Sequence, residues 1–411
     1  MNDHMQAAMT EATRLTRAGR LAEATALIQR RLGDMSVPAR RSTSANVPNE
    51  TKVRVVEDTP PLLEQTIQAE VGTSPMPVRV YPVVLSQKPS LYALHQSGRL
   101  PDSTRSGQSP RLDVVSSSSH PEGKFVDGVY RNTAGTRTYK LYVPGSYTGQ
   151  AVPLVLMLHG CTQNAIDFAA GTRMNMFAEG NTFLVAYPEQ VSSANNAKCW
   201  NWFQPTDQQR DMGEPSLIAG ITRRIMNSYH VDSNRVYVAG MSAGGAMAVI
   251  MAVTYPDLYA AVGVHSGLAY RAAHDVRSGF AAMRRGAYSS TQQLTTVIPL
   301  IAFHGDRDST VSPANADHLL DQWLRSMGRK QERSTYSTKV ERGQVSGGRA
   351  YTRSIYHDTS GYALVEKWLV HKAGHVWSGG SSDGSFTDPK GPDASAEMLR
   401  FFAELGQKKE A

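Results

Sequence analysis

The chain is predicted to be an α/β protein built on a mostly parallel sheet with helices on both faces. Three observations predict it. From about residue 123, short apolar β-rich runs alternate with stretches of helical periodicity. Gly240-Met241-Ser242-Ala243-Gly244 stands at the joint between one such run and the following helix. Asp308 and His375 follow it in that order, each shortly after a later predicted strand.

Taken in order, residues 4–32 carry helical periodicity interrupted at Gly19, with Leu15, Leu21, Ala24, Leu27, Ile28 and Leu32 on one stripe. Residues 1–34 are therefore expected to form a helical hairpin, without the second copy that a solenoid needs. Residues 35–122 are dominated by Ser, Thr, Pro, Gln and Arg, including Ser116-Ser117-Ser118-Ser119. They bury too little apolar surface to offset the entropy of ordering, and the segment reads as a mostly disordered linker. Val78–Leu85 is an island of β-type residues within it.

Residues 123–411 form the expected globular domain. Phe125–Tyr130 and Arg137–Val143, joined by Asn132-Thr133-Ala134-Gly135, read as an antiparallel hairpin at a sheet edge. Pro153–Leu158 is a buried strand, followed by a helix from Asn164 to Glu179. Phe183–Tyr187 is the next strand, followed by a helix from Pro215 to Tyr229. Arg235–Ala239 leads into the Ser242 turn and its helix, and Ala260–Val264 and Thr296–Phe303 are further strands. A helix over Pro313–Met327, strands at Tyr351–His357 and Ala363–Leu369, and a helix over Ala394–Leu405 complete the pattern.

Composition narrows the function classes. The net charge of +7 is spread thinly, which gives no basic arm for nucleic acid. No apolar run is long enough to span a bilayer. Met1–Gln6 is polar and lacks the features of a secretory signal, so a cytoplasmic location is expected. Two cysteines, Cys161 and Cys199, are too few for a disulfide framework or a zinc cage, and no histidine pair has metal spacing. Neither a metal nor a cofactor is expected.

The chemistry is read from Ser242. In G-x-S-x-G between a strand and a helix, the turn is too tight for side chains two positions either side of the serine. The serine then sits above a helix N-terminus that favours developing negative charge. A serine hydroxyl needs a base, and the base needs a carboxylate to fix its tautomer. His375, in Gly374-His375-Val376-Trp377, is the expected base. Asp308, in His304-Gly305-Asp306-Arg307-Asp308, is its expected partner, preferred over Asp306. The order Ser, acid, His is that of α/β-hydrolases. His371 reads as a loop residue, and His159, His265 and His304 as hydrogen-bonded imidazoles propping strand ends. The oxyanion of acyl transfer needs two preplaced donors, assigned to the backbone N–H groups of Ala243 and Cys161. Trp200, Trp202, Phe203 and Trp377 are expected to line an apolar cleft, although Trp202 also suits the core. Arg210, Asp211 and Glu214 read either as its rim or as a helix start.

Leu158-His159-Gly160-Cys161-Thr162-Gln163, Ala186-Tyr187-Pro188-Glu189-Gln190 and Cys199-Trp200-Asn201-Trp202-Phe203, together with the motifs around Ser242, Asp308 and His375, resemble short-chain poly(3-hydroxyalkanoate) depolymerases. The resemblance covers about residues 123–406. It implies an α/β-hydrolase fold and a serine esterase whose triad falls on Ser242, Asp308 and His375. The implied substrates are poly- or oligo-(3-hydroxybutyrate), with feruloyl or acetylxylan esters as the alternative. An inert granule-binding scaffold is the reading from another class. The resemblance also faces Cys161 towards Cys199, leaving open whether they are bridged. It brings in an extracellular location as the alternative to a cytoplasmic one, and association with polymer granules through residues 1–122 is a further expectation.

Overall fold

The computed structural model describes residues 122–286, 294–328, 337–358 and 361–410, together with Glu11, Leu27 and Val80–Pro82. Glu11 and Leu27 are helical; otherwise the expected hairpin and linker lie outside the described residues, except for β1 (Val80–Pro82).

Among the described residues, eleven strands form one sheet. Its centre is six parallel strands in the order β5 (Leu184–Pro188), β4 (Val152–Leu158), β6 (Val231–Met241), β7 (Ala261–His265), β8 (Leu300–Gly305) and β11 (Ala363–Val370). The hairpin of β2 (Lys124–Asn132) and β3 (Gly135–Val143) adds antiparallel to β5, and β1 pairs with β2. On the other side, β10 (Ala350–His357) and β9 (Ser337–Gln344) add antiparallel to β11, so both edges are antiparallel.

Burial explains the strand patterns. Every residue of Leu154–Leu158 is 0% exposed and Val236–Val238 is buried throughout, as expected where helices cover both faces. One core layer sets Ile218 and Ile221 of α3 (Gly213–Ser228), Met247 and Val249 of α4 (Ala243–Thr254) and Trp323 of α6 (Ala314–Gly328) against the sheet. The opposite layer is built from Phe168 of α1 (Ala165–Thr172), Met174 of α2 (Met174–Asn181) and Phe401 and Phe402 of α7 (Ala394–Glu410).

Some elements differ from the sequence expectation. The helix expected over 164–179 is two helices, broken at Arg173, which adopts φ 58°. The Arg173 guanidinium donates to Gly379 O and pairs with Asp393, contacts that lie more than 200 residues away. α5 (Val276–Arg285) was not predicted, although Asp275 and Ser278 form a capping box at its start. β9 was missed because it is a polar, mostly exposed edge strand with no apolar alternation. Short strands β12 (Trp377–Ser378) and β13 (Thr387–Asp388) form a separate parallel pair.

The parallel register aligns the strand ends that matter. Leu158 lies opposite Gly240, Met241 opposite His265, His265 opposite Phe303, and Gly305 opposite Val370. Residues 159–163, Ser242, Asp308 and His375 therefore all emerge at one sheet edge, where open α/β sheets bind ligands.

Candidate active site

Ser242 links β6 to α4 with φ 57° and ψ −120°, a strained conformation for a residue with a side chain. The neighbouring glycines allow it. A Cβ at Gly240 would lie 2.3 Å from Gly244 O, and one at Gly244 would lie 2.0 Å from Leu158 O. The Ser242 amide donates to His265 O at 2.9 Å, and Ser242 O accepts from the Ala246 amide at 2.9 Å, so neighbouring main chain fixes the turn. The residue is 8% exposed, and its hydroxyl makes no hydrogen bond among the described residues.

The Asp308 side chain is fully buried. One oxygen accepts from His375 Nδ1 at 2.7 Å, and the other accepts from the amides of Thr310 at 2.9 Å and Val311 at 2.8 Å. A proton on His375 Nδ1 leaves Nε2 as the acceptor, the tautomer that a general base needs. Burial alone pushes the Asp308 carboxyl up. The imidazoles of His375 and His304 outweigh this and hold it well below the usual carboxylate range. His304 Nε2 donates to Val311 O at 2.9 Å and stands 3.4 Å from the Asp308 carboxylate. Asp306 faces elsewhere: it accepts from His371 Nδ1 at 3.0 Å and from the Lys372 amide at 2.6 Å.

His265 joins the two halves of the site. Its carbonyl holds the Ser242 amide, while its Nε2 accepts from the Ser378 amide at 3.0 Å, three residues beyond His375. The ring stacks with Trp377 at 5.2 Å and Phe303 at 5.9 Å between centroids. Burial, with help from His304 and His375, lowers its pKa to about 3, so the ring stays neutral.

The loop after β4 lies beside the serine, since a Cβ at Gly160 would be 3.6 Å from Ser242 Cβ. Ala243 opens α4, so its amide has no intrahelical acceptor. The Cys161 amide also finds no acceptor among the described residues. Cys161 and Cys199 form a disulfide, and the Thr162 amide donates to Ala197 O at 2.7 Å, which ties this loop to the one after β5.

The tryptophan assignment is corrected. Trp200 and Trp377 are 0% and 1% exposed and Trp202 is 5% exposed, so none presents a face to a cleft. Trp200 Nε1 donates to His159 O at 3.2 Å and Trp377 Nε1 donates to Ser395 Oγ at 3.2 Å, which shows why indoles were placed in the core. Trp202 packs edge-on against Phe203. Glu214 is not at a rim either. Its buried carboxylate accepts from the Asn201 amide at 2.7 Å, from Asn201 Nδ2 at 2.9 Å, from Arg137 at 3.2 Å and from Gln190. Arg210 pairs instead with Asp257 at 2.6 Å. Sequence reasoning missed Gln163 and Gln190 as loop supports, and their only signal was adjacency to the two cysteine loops.

The strand order, the antiparallel edges and a serine at φ 57° after β6 define an α/β-hydrolase. The fold is similar to that of an acetyl xylan esterase from Aspergillus awamori, with a TM-score of 0.50 and 20% identity over 65% of this chain and 94% of that one. Residues 137–340 match the family model described as Esterase PHB depolymerase. The chain is 33% identical to poly(3-hydroxyalkanoate) depolymerase C of Paucimonas lemoignei over 282 residues, 65% of this chain and 64% of that protein. The match thus spans just under two thirds of the depolymerase. The chain is also 28% identical to feruloyl esterase B of Neurospora crassa over 249 residues, 56% of this chain and 80% of that one.

Proposed function

We propose that the chain is a carboxylic ester hydrolase that cleaves poly- or oligo-(3-hydroxybutyrate)-type esters through an acyl-enzyme. Ser242 is the nucleophile, His375 the general base and acid, and Asp308 the carboxylate that fixes the imidazole. In the first step His375 Nε2 takes the Ser242 proton as the oxygen bonds to the ester carbonyl carbon. The oxyanion is met by the Ala243 and Cys161 amides, and the protonated imidazole returns the proton to the departing alkoxide. Water, deprotonated by the same nitrogen, then hydrolyses the acyl-serine. The observation that carries this reading is the 2.7 Å contact of the buried Asp308 side chain with His375, at the same sheet edge as a serine held at φ 57°.

The choice of polyester is supported by the 33% identity to the depolymerase. The acetylxylan- or feruloyl-ester reading is supported by the relatives of those names and by the fold match. Turnover of 3-hydroxybutyrate oligomers, feruloyl esters and acetylated xylan by the intact protein and by S242A tests both readings. Preferential hydrolysis of the oligomers, abolished in S242A, is expected. Preferential turnover of feruloyl or acetyl esters replaces the substrate class, and unchanged activity in S242A removes the mechanism.

A further inference from the structure

Attack by Ser242 needs a main-chain donor whose direction is fixed, and the fold supplies an unassigned group that could fix it. His159 ends the β4 run and is 1% exposed. Its Nε2 accepts from the Gln190 amide at 3.1 Å. A ring nitrogen that accepts carries no proton, so the neutral ring carries its proton on Nδ1. Nδ1 lies 2.8 Å from Gly160 O and donates to it. Gly160 O also accepts from the Gln163 amide at 3.3 Å, and the Gly160 amide donates to Gln163 Oε1 at 3.0 Å.

These contacts hold the peptide group between Gly160 and Cys161 by its oxygen. A trans peptide is planar with C=O and N–H opposed, and the described residues contain no cis bond. Fixing the Gly160 carbonyl on the His159 side therefore turns the Cys161 N–H the other way. Rotated by half a turn, the same peptide would present a carbonyl oxygen where a donor is needed. We propose that His159 is a positioning residue: as its Nδ1–H tautomer, set by Gln190, it holds the Gly160–Cys161 peptide with its N–H directed at the oxyanion. This inference rests on the ester-hydrolase reading and adds to it a role for an imidazole that touches neither substrate nor the triad. Burial lowers the pKa of His159, which keeps the ring in the neutral form that this geometry needs.

Two amide substitutions separate this role from simple space filling. Asn places an N–H near the position of Nδ1 and can still donate to Gly160 O. Gln reaches the position of Nε2, can meet the Gln190 amide, and leaves Gly160 O without its side-chain donor. Kinetics with p-nitrophenyl butyrate on the full chain, with melting temperatures, provide the test. H159N is expected to keep kcat within about fivefold of wild type. H159Q is expected to lose about 30- to 300-fold in kcat with KM within about twofold, approaching the loss of a whole oxyanion donor. Should H159Q not fold, H159A takes its place with the same expected loss. Equal kcat values for H159N and H159Q, or wild-type kcat in a folded H159Q or H159A, overturn the proposal. A wild-type protein without turnover, or S242A as active as wild type, strikes the ester-hydrolase reading instead.

Discussion

Replacing Asp308 by Asn changes one atom in a fully buried side chain that meets both His375 and the loop amides. The amide oxygen can still accept from the Thr310 and Val311 amides. The amide nitrogen then occupies the position of the oxygen that accepted from His375 Nδ1. Two donors cannot share that contact, so the imidazole shifts its proton to Nε2 and can no longer take one from Ser242. The expected loss in kcat is about 10⁴-fold, the scale for a triad imidazole held in the wrong tautomer. At 1.36 kcal/mol per decade this is about 5.4 kcal/mol of transition-state stabilisation. KM for p-nitrophenyl butyrate is expected to change little, because this side chain is fully buried and exposes no surface to a ligand. D306N serves as the control. Asp306 holds His371 and the Lys372 amide at a partly exposed position, and its loss is expected to change kcat by less than about threefold. A D308N enzyme within about tenfold of wild type, or a D306N enzyme impaired more than D308N, refutes the assignment.

Further outcomes follow from the same structure. Because the folded pKa of Asp308 lies below its ordinary value, its stabilising contribution is present above the unfolded pKa and is lost as pH falls; D308N is expected to lack that part of the acid-side slope in denaturant titrations. Glu214 has the opposite sign: burial first, then Asp207, raises its pKa from 4.5 to about 7, so its contribution to stability falls as pH rises across that interval. Unfolding free energies at pH 5 and pH 8 should therefore differ less in E214Q than in wild type, and an unchanged difference contradicts the assignment. Opening the Cys161–Cys199 bridge, which spans 38 residues, with C199S is expected to lower stability by about 2–4 kcal/mol and to reduce kcat by loosening the donor loop. Unchanged melting temperature and kcat in C199S would count against that coupling. Glu366, 0% exposed, meets Arg353 at 2.7 Å, Arg400 at 2.7 Å and Trp368 Nε1 at 3.2 Å. E366A removes an acceptor shared by two guanidiniums that keep Glu341 and Glu397 as partners, leaves Trp368 Nε1 without its acceptor, and should cost about 1–3 kcal/mol by chemical denaturation; a cost near zero means that water replaces the carboxylate.

Much of the strand-and-helix order was legible because local chemistry encodes it. Leu154–Leu158 and Val236–Val238 read as buried strands because both sheet faces are covered, and apolar runs have no alternative place to go. The misses share a cause. β9 is polar because it is an edge, and the break at Arg173 is held by partners near residues 379 and 393. In the tryptophan loops, large apolar side chains near the motifs looked suited to a cleft, but an indole whose N–H finds a buried acceptor can equally fill the core, as Trp200 and Trp377 do.

By itself the sequence determined the elbow, because two glycines flanking a serine between a strand and a helix answer a steric demand confined to five residues. It also placed Ser242, Asp308 and His375 each after its own strand, as β6, β8 and β11 show. Tertiary structure decided which partner each polar group takes. His371 occupies Asp306 while His375 meets Asp308, Gln190 sets the proton on His159, and His265 spans from the Ser242 amide to the loop after His375. These pairings depend on the register of parallel strands whose neighbours in the sheet are distant in the chain, and no local pattern carries that register.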